Sequence, residues 1–177
     1  MQTMEENMKS SKKLAILGLS SNIYKTKLQE IIDRCGYVWS GWTYQLHENK
    51  KKVLDEQINN NNGGGFFHLY VHIAKDSSPK RRREGASRGS GLVEYRLIVK
   101  HFNYDKGKTF SPVPGCSVKN GVVNESITRH RLWAFVEKIE DIDKRNWNTF
   151  IDYDAGKYLR NFKWNIPHVY FGYIDDS

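Results

Sequence analysis

Cysteine, proline and long apolar runs are all scarce in this chain of 177 residues. Its two cysteines, Cys35 and Cys116, are too few for the disulfide framework of a small secreted domain, so we expect both thiols to be reduced and unbridged. No window approaches the roughly 18 apolar residues of a membrane-spanning helix. The apolar run at residues 14–19 is also too short for a secretory signal. These absences predict an intracellular protein with no membrane partner.

Patterns that support catalysis or cofactor binding are missing as well. The glycines at residues 63–65 lack the following Lys and Ser/Thr of a phosphate-binding loop. His68 and His72 share one side of a predicted strand, but no cysteine stands at a zinc-ligand spacing from them. The aspartates at 141–154 form a loose group that could bind a metal ion, but the pattern is more typical of helix starts and solvated turns. We therefore predict no catalytic residue, no metal ligand and no cofactor.

What is present is a mixture of strand and helix patterns. Residues 1–12 are expected to form a disordered leader, and residues 13–177 a single domain. Gly36 is expected to end the first helix in a left-handed conformation. Strands are predicted at 13–19, 37–44, 66–73, 92–102, 131–139 and 169–174, helices at 23–35, 48–58 and 140–147, and a long irregular loop at 103–128. Without a βαβ rhythm, this order favours an α+β fold with a small curved mixed sheet or open barrel flanked by helices.

Positive charge is concentrated in one loop. The net charge is +8, and residues 75–88 hold six basic residues against two acidic ones. Such a loop can bind phosphates through charge-assisted hydrogen bonds, whereas the alternative is a solvated hairpin loop with no partner. The expected contacts to a nucleic-acid backbone are Lys80, Arg81, Arg82, Arg83 and Arg88.

Two tryptophans stand close together in the segment VWSGWTY. Trp39 and Trp42 lie near a predicted strand end, where a ring face can stack on a flat ligand. Stacking of one base contributes roughly 1–3 kcal/mol. The alternative is that both rings fill the core, which is the more common fate of tryptophan.

In order along the chain, several segments resemble the YTH family and its PUA-like relatives, including EVE domains. The resemblance covers residues 14–145, and the order of its short motifs is its main support. The matching segments are LAILGLSSN, GYVWS at 36–40, NKKKVL, HLYVHI, GLVEYRLIV and RLWAFVEKIEDID.

The resemblance implies a PUA-like or YTH-like fold that binds a modified base, typically N6-methyladenine, in an aromatic cage with a basic rim. By position, Trp39 would form the first wall of the cage. Asn22, together with Ser20 or Ser21, would lie at its edge and hydrogen-bond the base. Related modules read methylated messenger RNA or sense DNA in modification-dependent restriction systems, so the chain is expected to bind RNA or DNA, alone or as a module of a longer protein.

One family feature is missing, and two other functions remain open. The family's second cage tryptophan has no counterpart at 103–130, where Tyr104, Phe110 or the neighbouring Trp42 would replace it. The first alternative is a protein-interaction module whose basic loop meets an acidic partner. The second is an ASCH-like nucleoside amidohydrolase, which needs Lys, Glu and Thr in one pocket. Only Glu94 and Lys100 are candidates, with no clear threonine.

Overall fold

The computed structural model describes residues 15–20, 24–42, 52, 55–56, 66–73, 75, 89–103, 115–119, 132–145, 150–152 and 169–174. In this part of the chain the fold is α+β, with one helix described along its whole length and a mostly open, curved, mixed sheet of eight strands. The elements are β1 (Ala15–Ser20), α1 (Tyr24–Cys35), β2 (Val38–Trp42), β3 (Phe67–Ile73), β4 (Val93–Asn103), β5 (Ser117–Lys119), β6 (Leu132–Arg145), β7 (Phe150–Asp152) and β8 (Val169–Ile174).

The strands follow the order β5-β2-β6-β4-β3-β1-β8-β7 across the sheet. The pairs β2–β5 and β1–β3 are parallel, and every other neighbouring pair is antiparallel. The mixed sheet confirms the predicted α+β fold class in its coarse form. Most of the predicted strands also begin and end close to where the structure has them.

One face of the sheet, here called the inner face, packs against α1. Apolar residues at helical spacing on α1, including Leu28 and Ile32, meet alternate strand residues such as Val38 and Leu97 in the main core. Gly36 ends the helix with φ of +82°, the left-handed conformation expected of it.

The opposite face, here called the outer face, is built differently. Its apolar part is a smaller cluster around Leu17 and Phe150 near the β1–β8–β7 edge. Because successive strand residues point to opposite faces, Trp39 and Phe135 lie on the outer face while Val38 and Ala134 lie on the inner one.

The helix predicted at 140–147 is wrong for its described part. β6 continues as a strand to Arg145, and Glu140 and Asp141 lie opposite Arg96 and Tyr95 of β4. Backbone hydrogen bonding to β4, with three register shifts, overrides a local pattern that also fits a helix. The short strand β5 lies within the loop predicted at 103–128, and β7 was not predicted.

The expectation for the cysteines is also wrong. Cys35 at the end of α1 and Cys116 just before β5 form a disulfide, with their Cα atoms 6.3 Å apart. Spacing along the chain gave no sign of it, because 81 positions separate the two residues. The inference of an intracellular compartment from reduced thiols therefore loses its premise.

Several predictions fall outside the described residues. These are the leader at 1–12 and most of the helix at 48–58, of which residues 52, 55 and 56 are described and helical. No helix within the described ranges is long and apolar enough to span a membrane.

Candidate nucleic-acid interface

Trp39 lies on the outer face, between two neighbouring strands. It is half-buried and in register with Ser117 of β5 on one side and Phe135 of β6 on the other. Its ring meets the Phe135 ring edge-on, with centroids 5.1 Å apart and an interplanar angle of 81°. Its backbone N–H donates to the Cys116 carbonyl at 2.9 Å. Trp39 is therefore held in place without being part of the main core.

Three further rings gather around Trp39. Phe135 is the centre of this group: Tyr37 stacks on it at 4.6 Å, and His101 meets it edge-on at 5.7 Å. Tyr37 and Phe135 are half-buried, and His101 is exposed. We call Tyr37, Trp39, His101 and Phe135 the aromatic patch.

Phe66 extends this surface towards β3. It is the most exposed large apolar side chain among the described residues, at 47%. Phe67 points into the core and pairs with Val99, so by register Phe66 lies beside Lys100 and on the outer face. Aromatic side chains thus follow one another across β2, β6, β4 and the start of β3.

Beside the aromatic patch the outer face is closed. Trp133 is only 2% exposed, and its ring lies directly over Gly41 of β2, with which it is in register. A Cβ atom on Gly41 would stand 2.6–2.8 Å from three atoms of that ring. Glycine is therefore needed at this position, because the indole occupies the space of a side chain.

Farther along β4 and β6, the outer face carries a ladder of three ion pairs. The pairs join Lys100 to Glu137 at 3.5 Å, Arg96 to Glu140 at 2.8 Å and Lys144 to Glu94 at 3.0 Å. We call this the ion-pair ladder.

The ion-pair ladder is close to neutral, which limits what it can bind. The hydrogen bond from Arg96 lowers the pKa of Glu140 below its ordinary value, and the same bond raises the pKa of Arg96. A phosphate on this surface would have to compete with a carboxylate for each cation. The ion-pair ladder is therefore a poor track for a nucleic-acid backbone.

The basic loop starts from the far end of this ladder. Its first and last turns are held by backbone hydrogen bonds: Gly89 N–H donates to the Lys75 carbonyl at 3.1 Å, and Gly91 N–H to Ile73 at 3.1 Å. Val93, at this end, and His101 in the aromatic patch are eight positions apart on β4, which is roughly 26 Å. The predicted phosphate contacts Lys80, Arg81, Arg82, Arg83 and Arg88 lie outside the described residues.

His72 lies at the same end and is buried. Desolvation lowers its pKa from 6.5 to about 4, although a hydrogen bond to the Gly91 backbone and the charge of Glu94 act in the opposite direction. The imidazole is therefore neutral at physiological pH.

The structure separates the residues predicted to form the base pocket. Trp42 is 1% exposed and packs in the main core, so it cannot form a wall on the face that carries Trp39. Ser20 is also buried on the inner face, beside Tyr95, where its hydroxyl opposes the rise that burial causes in the tyrosine pKa. The other predicted pocket residues, Ser21, Asn22, Tyr104 and Phe110, lie outside the described residues.

Sequence reasoning missed three of the four rings in the aromatic patch. The signal was present in LWAFVEK, where the buried Leu132, Ala134 and Val136 alternate with Trp133 and Phe135. Because successive residues of a strand point to opposite faces of the sheet, this alternation indicates one set of side chains on the inner face and another on the outer face.

Two groups considered for an enzyme site, Glu94 and Lys100, lie on β4. Glu94 pairs with Lys144, and Lys100 with Glu137, so the two groups considered for an amidohydrolase do not converge. His68 Nδ1 lies 3.5 Å from Arg96, and within the described ranges no three His, Cys, Asp or Glu side chains are grouped to hold a metal ion.

Comparison with known proteins finds no matching family model, curated protein or solved structure. The resemblance to the YTH family therefore stays a prediction from the sequence.

Proposed function

We propose that this chain is a nucleic-acid-binding domain that stacks an unpaired base on the aromatic patch and leaves it chemically unchanged. One observation supports the proposal above all others. Half-buried rings of Tyr37, Trp39 and Phe135, together with the exposed His101, gather on the face of the sheet that α1 leaves uncovered.

Stacking on this surface favours single strands. The π-faces of bases in a duplex are already stacked, so a base must be unpaired or flipped out to reach Trp39. Stacking on an aromatic ring contributes roughly 1–3 kcal/mol per base.

Charge supports nucleic acid over a neutral ligand. With a net charge of +8, the chain is attracted to polyanions in general. The cations of the ion-pair ladder are already paired, so the basic loop is the better source of phosphate contacts. Because that loop begins roughly 26 Å from the aromatic patch, a nucleic-acid strand that contacts both must extend along β4.

The finer proposal is that the bound base is modified, of the N6-methyladenine type, within a PUA-like or YTH-like fold. Its support is the sequence resemblance and the position of Trp39 in the GYVWS motif. A methyl group between ring faces is shielded from water, but one methyl discriminates by only about 1–3 kcal/mol. The bulk of the affinity then comes from stacking and phosphate contacts, in RNA or DNA.

The test is a fluorescence anisotropy titration of labelled single-stranded oligonucleotides, methylated and unmethylated, with wild type and Trp39→Ala. We expect the substitution to weaken binding about 5- to 150-fold, the equivalent of one lost stacking contact. Tyr170→Ala is the matched control, because Tyr170 is another half-buried outer-face ring, located on β8 away from the aromatic patch. It should bind like wild type.

The outcomes separate the parts of the proposal. Equal affinity for methylated and unmethylated strands would refute the modified-base part and leave single-strand binding intact. If Trp39→Ala bound single strands as tightly as wild type, Trp39 would not be the residue on which a base stacks. No affinity for any oligonucleotide would instead favour the protein-interaction module with an acidic partner.

A further inference from the structure

The disulfide lies immediately beside the proposed base-stacking site. Cys116 precedes β5, and its carbonyl accepts the hydrogen bond from the Trp39 N–H at 2.9 Å. Cys35 ends α1, and Arg34 next to it donates to the Gly115 carbonyl. Both cysteines are half-buried, so a small thiol can reach them.

The strand that follows Cys116 is short, and the described residues attach it to β2 and to α1. β5 contains three residues and forms an edge of the sheet, and its described strand pairing is to β2. Val118 packs against the main core from a half-buried position. Because Cys116 is 81 residues from Cys35, β5 depends among the described residues on these noncovalent contacts once the covalent bond is gone.

We propose that the Cys35–Cys116 disulfide is a redox switch of the Trp39 site, an inference that rests on the proposed function. In the oxidised protein, β5 is held along β2, and Ser117 stands in register beside Trp39. In the reduced protein, β5 separates from β2. Trp39 then lies on the edge strand, the aromatic patch loses one border, and affinity for a single strand falls.

The chemistry is a thiol–disulfide exchange with a dithiol reductant. A thiolate of the reductant attacks one sulfur of the disulfide, so that the Cys35–Cys116 bond breaks, one cysteine leaves as a thiolate and the other forms a mixed disulfide with the reductant. The second thiolate of the reductant then attacks the reductant sulfur of that mixed disulfide, which closes the reductant's own disulfide and releases the remaining cysteine as a thiolate. Two electrons and two protons pass to Cys35 and Cys116, which become thiols, and the reductant becomes a disulfide.

The first test needs no nucleic acid. Hydrogen–deuterium exchange is measured on the oxidised protein and on protein reduced with dithiothreitol. We expect the Trp39 amide to exchange about tenfold faster or more after reduction, because its acceptor is the Cys116 carbonyl. The amide of Leu97 in the central strand β4 should not change.

The matched variant is Cys35→Ser/Cys116→Ser, which has no bond to reduce. It should show the fast Trp39 exchange with and without reductant, so that other effects of dithiothreitol are controlled. Equal Trp39 exchange in oxidised and reduced wild type would overturn the proposal. A reductant effect of the same size in the variant would overturn it as well.

The second test repeats the single-strand titration in both redox states. We expect affinity to be about tenfold weaker after reduction, which corresponds to loss of one stacking contact. Unchanged affinity despite faster exchange overturns the switch and leaves the proposed function standing. No affinity in either state refutes the proposed function and the switch with it, and the exchange data then still show whether β5 is released.

Discussion

Trp42 and Trp39 are three residues apart on the same strand, yet they belong to different environments. Trp42 is buried in the main core against the inner face, and its ring lies close to the space above Gly18 of β1. Trp39 is half-buried on the outer face, next to Phe135. Position on a pleated strand, and not residue type, decides which indole is available to a ligand.

The inner and outer faces of the sheet differ in the same way as these two tryptophans. The inner face is a continuous apolar layer beneath α1. The outer face divides into the aromatic patch, the ion-pair ladder and a small apolar cluster. A layer of the first kind stabilises the fold, whereas separated rings and charges on a half-open surface are typical of recognition.

The sharpest test of this contrast compares the two tryptophans. Trp42→Ala should lower the free energy of unfolding by about 4 kcal/mol, because it leaves a large cavity in the core. Trp39→Ala should cost about 1 kcal/mol, because its ring is only partly removed from water. Urea denaturation of both variants measures the difference. Similar losses would mean that Trp39 is as much a core residue as Trp42.

Sequence patterns predicted the local elements far better than the pairing between strands. The helix at residues 24–35, the left-handed Gly36 and the strands β3 and β4 all follow from local periodicity and turn chemistry. The continuation of β6 to Arg145 was not predictable in this way, because it depends on pairing with β4 residues that are 44 to 52 positions away in sequence.

The candidate site was predictable only in part. Trp39 was identified from its motif, but Tyr37, His101 and Phe135 become its neighbours through the register of β2, β6 and β4. The disulfide was missed for the same reason, since it depends on the packing of α1 beside β5. Both the neighbours of Trp39 and the disulfide depend on contacts between segments that are distant in sequence, and local sequence patterns do not reveal such contacts.

A second test measures whether solvent reaches the outer face at the end opposite the aromatic patch, where His72 lies. His72 has a pKa of about 4 in the folded protein against 6.5 when solvated. Between these values the unfolded chain binds a proton that the folded chain does not, so stability falls as the pH is lowered. We expect a loss of about 3 kcal/mol from pH 7 to pH 4 from this group.

Denaturation curves recorded across that pH range provide the measurement. His72→Gln cannot be protonated there, so its stability should vary less steeply with pH than that of wild type. Parallel pH profiles for the two proteins would show that His72 is accessible to solvent. The outer face would then be open at the base of the basic loop as well as at the aromatic patch.

The smallest effect concerns one glycine on each face. Gly41→Ala places a methyl group against the Trp133 ring on the outer face, and we expect a loss of about 2 kcal/mol in the free energy of unfolding. Gly18→Ala is the matched inner-face variant, where the nearest atoms belong to Leu69 at 3.0 Å and Trp42 at 3.4 Å. Gly18→Ala should lower the free energy of unfolding by less than Gly41→Ala, because a leucine side chain can shift more easily than a buried indole.

Thermal unfolding of the two alanine variants gives the comparison, and oligonucleotide binding adds a second measurement. Trp133 and Phe135 are alternate residues on the same face of β6, so a displaced Trp133 ring should disturb the aromatic patch. Gly41→Ala should therefore weaken single-strand binding, whereas Gly18→Ala should not. If the inner-face variant weakened binding equally, the two faces would not be functionally distinct, and the base-stacking site could not be assigned to the outer one.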